Sequence, residues 1–281
     1  DYSYAIERTD RAIRRIMRRR DVPAVAVSLV DDQSVIWHDA YGIANLETGM
    51  AATVNTVFKA GSIAKVFTGI EVMRMHEEGL VDIDSPITAY LPDFQLGALS
   101  PDPESVTVRS LLSHRSGLPR NGSLLGWHWE VIPNVLEAYT ASAAEVHQVC
   151  PVGTRYKYSN LAYDVLGRMI EVVRQVQPAA TAAGAFPYYM AEALFRPLGM
   201  THTGFGTRAL LYGDTTMANA ATGYGRDGAR TIPYEQFDII NLASGNLHTT
   251  LTDMERFARF ILGGGQVDGR RLISEATLRM M

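Results

Sequence analysis

Lys65 to Leu80 reads KVFTGIEVMRMHEEGL, with apolar residues at helical period and on nearly every side: Val66, Phe67, Ile70, Val72, Met73 and Met75. A helix that is apolar all round has no face to give to water, so it belongs at the centre of a fold. The rest of the chain must then supply layers that cover it. Gly79 is placed to cap its C-terminus. With 281 residues there is enough chain for one large domain or two modest ones.

The residues at the mouth of this helix carry the first chemical signal. KAGSIAKVFTG, residues 59–69, places Ser62 and Lys65 three apart, and the chain's only lysines are Lys59, Lys65 and Lys157, against 23 arginines. Residues three apart on a helix share a face, so the Ser62 hydroxyl and the Lys65 amine can meet. The partial positive charge of a helix N-terminus favours a developing alkoxide. A serine hydroxyl is a poor nucleophile until a neighbouring base takes its proton. A lysine amine can be that base when burial lowers its pKa, whereas an arginine effectively cannot deprotonate. Chance alone predicts about 0.16 Ser-x-x-Lys pairs from 15 serines and three lysines. The pair therefore needs company before it means chemistry, and an Arg-favouring codon bias also explains scarce lysine.

That company lies in RYKYSNLAYDVLG, 155–167, where Tyr158 and Asn160 precede a helix. A phenol beside a lysine amine can relay a proton to a leaving group, and an asparagine amide can orient a carbonyl. An Asn N-cap behind a packed tyrosine accounts for the same residues.

Other function classes find less support. A net charge of −4 leaves no electrostatic footprint for nucleic acid. RRIMRRR, 14–20, closes a segment with Ile6, Ile13, Ile16 and Met17 at helical spacing, and reads as an amphipathic helix with a solvated basic face. No apolar run reaches the roughly 18 residues of a membrane span. Cys150 is the sole cysteine, so no intrachain disulfide forms and the compartment stays open. His147, three residues upstream, is the one group near enough in sequence to activate its sulfur, which makes a thiol nucleophile a poor expectation. The seven histidines form no HExxH pair, and no metal or cofactor is expected. GYGRDG, 223–228, satisfies GxGxxG but runs into a proline-containing stretch instead of opening a helix, and reads as a turn. No GxSxG elbow occurs.

Along the chain, 22–30 and 34–42 are β-rich runs split by DDQ and predict a hairpin, the one clear source of strands. Between about 80 and 200, Pro and Gly punctuate short helical pieces within ITAYL, TVRSLLSH, PNVLEAYTASAA, LAYDVLGRMIEVVRQV and PYYMAEALF. QPAATAAGAF, 177–186, reads as a flexible surface insertion. LTDMERFARFILGG predicts a further amphipathic helix.

Together these segments resemble the β-lactamase-related serine hydrolases: class C β-lactamases, low-molecular-weight penicillin-binding proteins and allied esterases. VPAVAVSLV, YGIANLETG and TVFKAGSIAKVFTG are similar to that family's N-terminal hairpin running into its Ser-x-x-Lys helix. EEGLVDIDSPITAYLP is similar to its next segment, LLSHRSGLP (111–119) to its Leu-Leu-x-His-Thr-Ser-Gly-Leu loop, FRPLGMTHTGF (195–205) to its Pro-Leu-Gly-Met turn, and ASGNLHTTLTDMERFARFIL to its Gly-Leu-x-Ser-Thr turn and following helix. Arg115 departs from the pattern, where the family commonly has Thr.

The resemblance implies an α/β (α+β) fold of the β-lactamase/transpeptidase type, with an antiparallel sheet flanked by helices in 1–80 and 201–281 and a helical domain over 81–200. It implies Ser62 as nucleophile, Lys65 as its general-base partner, Tyr158 as proton relay and Asn160 as the contact to the substrate amide. His114 is expected to be structural. The implied activity is hydrolysis of amide or ester bonds through an acyl-enzyme, without cofactor or metal. The implied partner is a small-molecule or peptide substrate: a β-lactam, a D-Ala-D-Ala peptide or an ester. The residues do not choose among these three, nor between Lys65 and Tyr158 as first proton acceptor, nor do they fix an oligomeric state. The rival reading is a catalytically inert relative that keeps the fold and acts through protein interactions. The family's third motif, Lys-Thr-Gly or His-x-Gly, is expected beyond Met281 together with further strands, so residues 1–281 alone are expected to be poorly soluble or inactive. LHTT, 247–250, imitates that motif but matches the Gly-Leu-x-Ser-Thr turn in context.

Overall fold

The computed structural model describes residues 1–97, 103–124, 126–128, 135–176, 185–206, 217–228 and 230–281. Helix α1 (Ser3–Arg20) is amphipathic, and its last turn carries Arg18, Arg19 and Arg20, where cations suit the C-terminal end of the helix dipole. It leads into the predicted hairpin, β1 (Ala24–Asp31) and β2 (Ser34–Asn45), paired antiparallel from Ala24↔Gly42 to Asp31↔Ser34. Asp32 in the turn takes φ +50°, a left-handed conformation that a short polar side chain tolerates. Strand β3 (Met50–Ala51) pairs with the end of β2, and β4 (Phe58–Gly61) delivers the chain to α2 (Ala64–Glu77).

Helix α2 is buried over ten of its fourteen residues, as its all-round apolar pattern requires. Phe67 sits edge-on to Phe195, with ring centroids 5.2 Å apart, and packs against Phe257 at 4.4 Å. Gly79 takes φ +74° and closes the C-terminus by donating to His76 O. The helix also buries Glu71 completely, a charge that then needs partners.

The covering layers follow. Helix α3 (Val108–Leu112), the two-residue β5 (Trp127–His128), α4 (Val135–Ala141) and α5 (Asn160–Val173) precede α6 (Ala185–Met190), which runs into a π turn over Ala191–Phe195. Helix α5 packs against α2, α3 and α4. The chain then forms β6 (Gly204–Phe205), β7 (Gly223–Asp227), β8 (Arg230–Tyr234), β9 (Asp238–Ile239), α7 (Leu242–Gly245), β10 (Leu247–Thr249) and α8 (Leu251–Leu262). Helix α8 is capped by Thr250, whose hydroxyl accepts from Asp253 N at 3.2 Å, and packs on β1. This is the mixed α/β arrangement with small antiparallel sheets that the resemblance implies.

Three expectations are corrected. The hairpin of 22–42 is not the only source of strands: β4, β10 and β6 form a sheet in the order β4-β10-β6, and β5 pairs with β9. Strands of two to four residues are too short to show a period-two pattern, so the sequence hides them. GYGRDG is mostly strand β7, paired with β8 from Gly223↔Tyr234 to Asp227↔Arg230, and no helix follows it. A Cβ at Gly225 would stand 2.1 Å from the Tyr234 hydroxyl, the end of an exposed side chain that packs over the strand there. Of the proposed insertion 177–186, residues 177–184 lie outside the described residues, while Ala185 and Phe186 begin α6 with Phe186 fully buried. Among the described residues, no helix is long and apolar enough to cross a membrane.

Candidate active site

Ser62 stands in the link between β4 and α2. Strand β4 is pinned by β10 through Leu247↔Gly61 and His248↔Lys59. Gly61, at φ +55°, turns the chain from strand to helix, a conformation that costs glycine little. The Ser62 carbonyl accepts from Lys65 N at 3.2 Å, closing a first turn that puts both side chains on one side. Lys65 Nζ lies 3.3 Å from Ser62 Oγ and donates to Asn160 Oδ1 at 2.9 Å and Ser244 O at 2.5 Å. Three acceptors thus meet the three N–H bonds of one ammonium.

The second wall comes from the start of α5. Ser159, not Asn160, is the N-cap: its hydroxyl accepts from Ala162 N at 3.0 Å and donates to Pro119 O at 2.7 Å. With the cap supplied by Ser159, Tyr158 and Asn160 are left to face Ser62 and Lys65. Tyr158 Oη donates to Ser62 Oγ at 2.7 Å, and Asn160 Nδ2 donates to Asn121 Oδ1 at 2.9 Å. The structure therefore brings Ser62, Lys65, Tyr158 and Asn160 into one hydrogen-bonded group across nearly a hundred residues of sequence.

Burial lowers the Lys65 amine from its ordinary pKa, against the opposing pull of Tyr158 and Asp164. Burial pushes the Tyr158 phenol up, but hydrogen bonds to Lys65 and Ser62 and the charges of Lys65 and Arg120 outweigh it, and the phenol ends below its ordinary value. His114 holds Tyr158 in place: the two rings lie 4.6 Å apart, and His114 Nδ1 accepts from Ser159 N at 3.2 Å. Burial and the Lys65 charge hold its imidazole at about 4, so it is neutral at ordinary pH.

One supporting residue was not singled out in the sequence. Asp164, fully buried one turn along α5 from Asn160, accepts from Ala243 N at 2.9 Å, Ser244 N at 3.1 Å, Ser244 Oγ at 2.9 Å and Asn241 Nδ2 at 3.1 Å. It fixes the short α7 and with it the Ser244 carbonyl that meets Lys65. Burial pushes this carboxyl up to about 7, against the pull of its donors and of Lys65. A lone Asp among Leu161, Val165 and Leu166 on an apolar helix was the available signal, since a buried charge must have partners. Asn121 and Ser244 gave no signal, because only the fold brings them to the site. Strand β10 runs between β4 and β6, and His248 on it is 1% exposed and held neutral, mainly by burial, at about 4. Leu247–Thr249 of LHTT is thus an interior strand, and Thr250 caps α8.

A hydroxyl held between an amine and a phenol, both lowered from their ordinary pKa, is equipped for proton transfer at oxygen. The β-lactamase family model matches residues 9–281. The chain is 30% identical over 276 residues to a β-lactamase-like protein of Homo sapiens, covering 96% of this chain and 51% of that one. It is 29% identical to penicillin-binding protein 4 of Amycolatopsis lactamdurans, over 100% of this chain and 69% of that one. Among solved structures, the octameric penicillin-binding protein homologue from Pyrococcus abyssi superposes with a TM-score of 0.76 at 25% identity, over 98% of this chain and 59% of that one. The chain spans about half the length of several of the curated relatives that it matches. The match runs through the hairpin, the Ser62 helix, the Tyr158 loop and the closing helix alike, and on that footing the chain belongs to the β-lactamase family.

Proposed function

We propose that the protein is a serine hydrolase that acts on ester or amide bonds through an acyl-enzyme on Ser62. The observation that carries this reading is the Ser62 hydroxyl held 2.7 Å from Tyr158 Oη and 3.3 Å from Lys65 Nζ. Ser62 Oγ attacks the substrate carbonyl as its proton passes to the Lys65–Tyr158 pair, which titrates as one unit. Tyr158 returns the proton to the departing alcohol or amine as the acyl bond to Ser62 remains. Water then attacks the ester so formed, the same pair taking its proton and passing it to Ser62 Oγ as the bond to that oxygen breaks and the acid leaves. Asn160 uses one amide proton on Asn121 and has a second to offer the substrate's amide carbonyl. An inert scaffold would leave the burial of the Lys65 amine beside a serine hydroxyl without a purpose.

The test is covalent labelling. A fluorophosphonate or penicillin probe should add once to the protein by intact mass, and peptide mapping should place the adduct on Ser62. An adduct elsewhere, with Ser62 unmodified, would remove Ser62 from the mechanism. A panel of a β-lactam, a D-Ala-D-Ala peptide and a simple ester then separates the substrate classes.

The pH dependence follows from the same pair. The reactive form has lost a proton from Lys65–Tyr158, so acylation should rise with pH and level off once the pair is deprotonated. Because both groups are lowered, the rising limb should lie below the range of an ordinary phenol or alkylamine. In Lys65→Ala the phenol loses a neighbouring cation, and the limb should move to higher pH. A limb that does not move in that variant would mean that Lys65 does not tune Tyr158.

A further inference from the structure

We propose that helix α1 lays its outer face on an anionic phospholipid bilayer, so that the protein docks to a membrane surface without crossing it. The inference is independent of the hydrolase reading. The inner face of α1 is already occupied by the hairpin. Asp10 Oδ1 accepts from Tyr41 Oη at 2.9 Å, and the Arg14 guanidinium lies 4.8 Å from the centroid of the Tyr41 ring. The Met17 methyl sits 2.9 Å from where a Cβ of Gly42 would stand. These contacts seat the helix on β2, yet none of its eighteen residues is buried outright. On the opposite face Tyr4, Arg8, Arg11, Arg15 and Arg19 recur at spacings of four, three, four and four, which makes one stripe along the helix. All five are exposed.

The acids of this segment have partners, and most of its arginines do not. Glu7 pairs with Arg11 at 3.8 Å, Asp10 with Arg14 at 3.0 Å and Asp21 with Arg226, while Asp1 accepts from Ser3 N at 2.9 Å. Among the described residues, no carboxylate ion-pairs with Arg8, Arg15, Arg18, Arg19 or Arg20. Residues 1–21 hold seven Arg against four Asp and Glu, a net +3, whereas the whole chain is −4, so the other residues carry −7. That polarity turns α1, and not the acidic body, toward a negative surface. Charge alone would suit nucleic acid equally. The apolar side chains decide between the two. Tyr4, in the stripe, is 69% exposed, and Ile16, one turn from Arg19, is 52% exposed. A nucleic-acid backbone offers such groups little, because its attraction is to charge. At a bilayer they enter the boundary between headgroups and acyl chains, while the arginines reach the phosphates. The solvated basic face expected from the sequence is present, and the structure adds these two side chains to it.

The test is co-sedimentation of the protein with vesicles of phosphatidylcholine alone, or of phosphatidylcholine with about 30% phosphatidylglycerol. Binding to the anionic vesicles should exceed binding to the neutral ones by about tenfold or more. It should fall by a similar factor between about 50 mM and about 300 mM NaCl. Arg8→Gln, Arg15→Gln and Arg19→Gln combined should weaken binding to the anionic vesicles by about tenfold or more. Thermal unfolding should stay unchanged, since none of the three pairs with a carboxylate. Tyr4→Ser with Ile16→Ser should weaken the same binding by about fivefold. A DNA duplex should bind the unaltered protein at least about tenfold more weakly than the anionic vesicles do. No preference for anionic vesicles at low salt, or one that survives the triple substitution, would overturn the proposal. Equal binding of DNA, or no effect of the apolar pair, would make α1 a general polyanion surface and overturn it too. The salt series on the unaltered protein decides the matter where a variant folds poorly.

Discussion

Lys65→Arg is expected to slow acylation of Ser62 by about 10²–10⁴-fold, nearly as much as Lys65→Ala, although the positive charge is kept. Lys65 is 6% exposed and the three N–H bonds of its amine are spent on Ser62 Oγ, Asn160 Oδ1 and Ser244 O. A guanidinium is larger and planar, so it cannot occupy that point without displacing Asn160 or Ser244. It also cannot give up a proton, so the pair with Tyr158 is left with the phenol alone. The control is Lys59→Arg. Lys59 stacks on the Phe237 ring and donates to its carbonyl, roles that a guanidinium can fill, and its acylation rate should stay within about threefold of the unaltered protein. Stopped-flow measurement of the acylation phase with a p-nitrophenyl ester compares all three variants. Wild-type rates in Lys65→Arg would show that position 65 supplies charge only.

The second large effect concerns stability. Glu71 is fully buried in α2 and accepts from Arg74 Nη1 at 2.7 Å, Arg174 Nη2 at 2.8 Å and Tyr189 Oη at 2.5 Å. It thereby ties α2 to α5, which carries Asn160, and to α6. Glu71→Ala would leave two guanidinium groups, each with a side chain only 16% exposed, without their shared carboxylate. Breaking a buried pair from one side typically costs about 3–5 kcal/mol. Arg174 retains Glu78 at 2.5 Å, which places the expected loss near the lower end. Against a total stability of about 5–15 kcal/mol that is a large fraction. Urea unfolding followed by circular dichroism measures it, and a loss below about 1 kcal/mol, the scale of a surface pair, would show that the cluster is solvated in solution.

Much of the core was legible because period carries the information. The all-round apolar pattern of 65–80 required a buried helix, and the β-rich runs split by DDQ in 22–42 predicted a hairpin; both exist with boundaries shifted by a few residues. The short strands of β4, β6, β9 and β10 were not legible, because two to four residues cannot establish a period and their pairing is long-range. The cluster around Glu71 was hidden for a different reason. Its partners Arg174 and Tyr189 lie 103 and 118 positions away, so the sequence names neither of them, although a glutamate on a helix apolar all round must be buried with partners.

For the candidate site, the sequence by itself determined the residue types and their local spacing. Ser62 and Lys65 share the first turn of one helix, and Tyr158 and Asn160 flank the cap of another, so each pair is fixed by local geometry. Only the tertiary structure decided that the two pairs meet. It also decided that Ser159, not Asn160, caps α5, and that Asp164 holds the Ser244 carbonyl against Lys65. The physical reason is range. A helix turn places groups by covalent geometry over three or four residues, whereas the lowered pKa of Lys65 and Tyr158 comes from burial and from charges contributed by segments far apart in sequence.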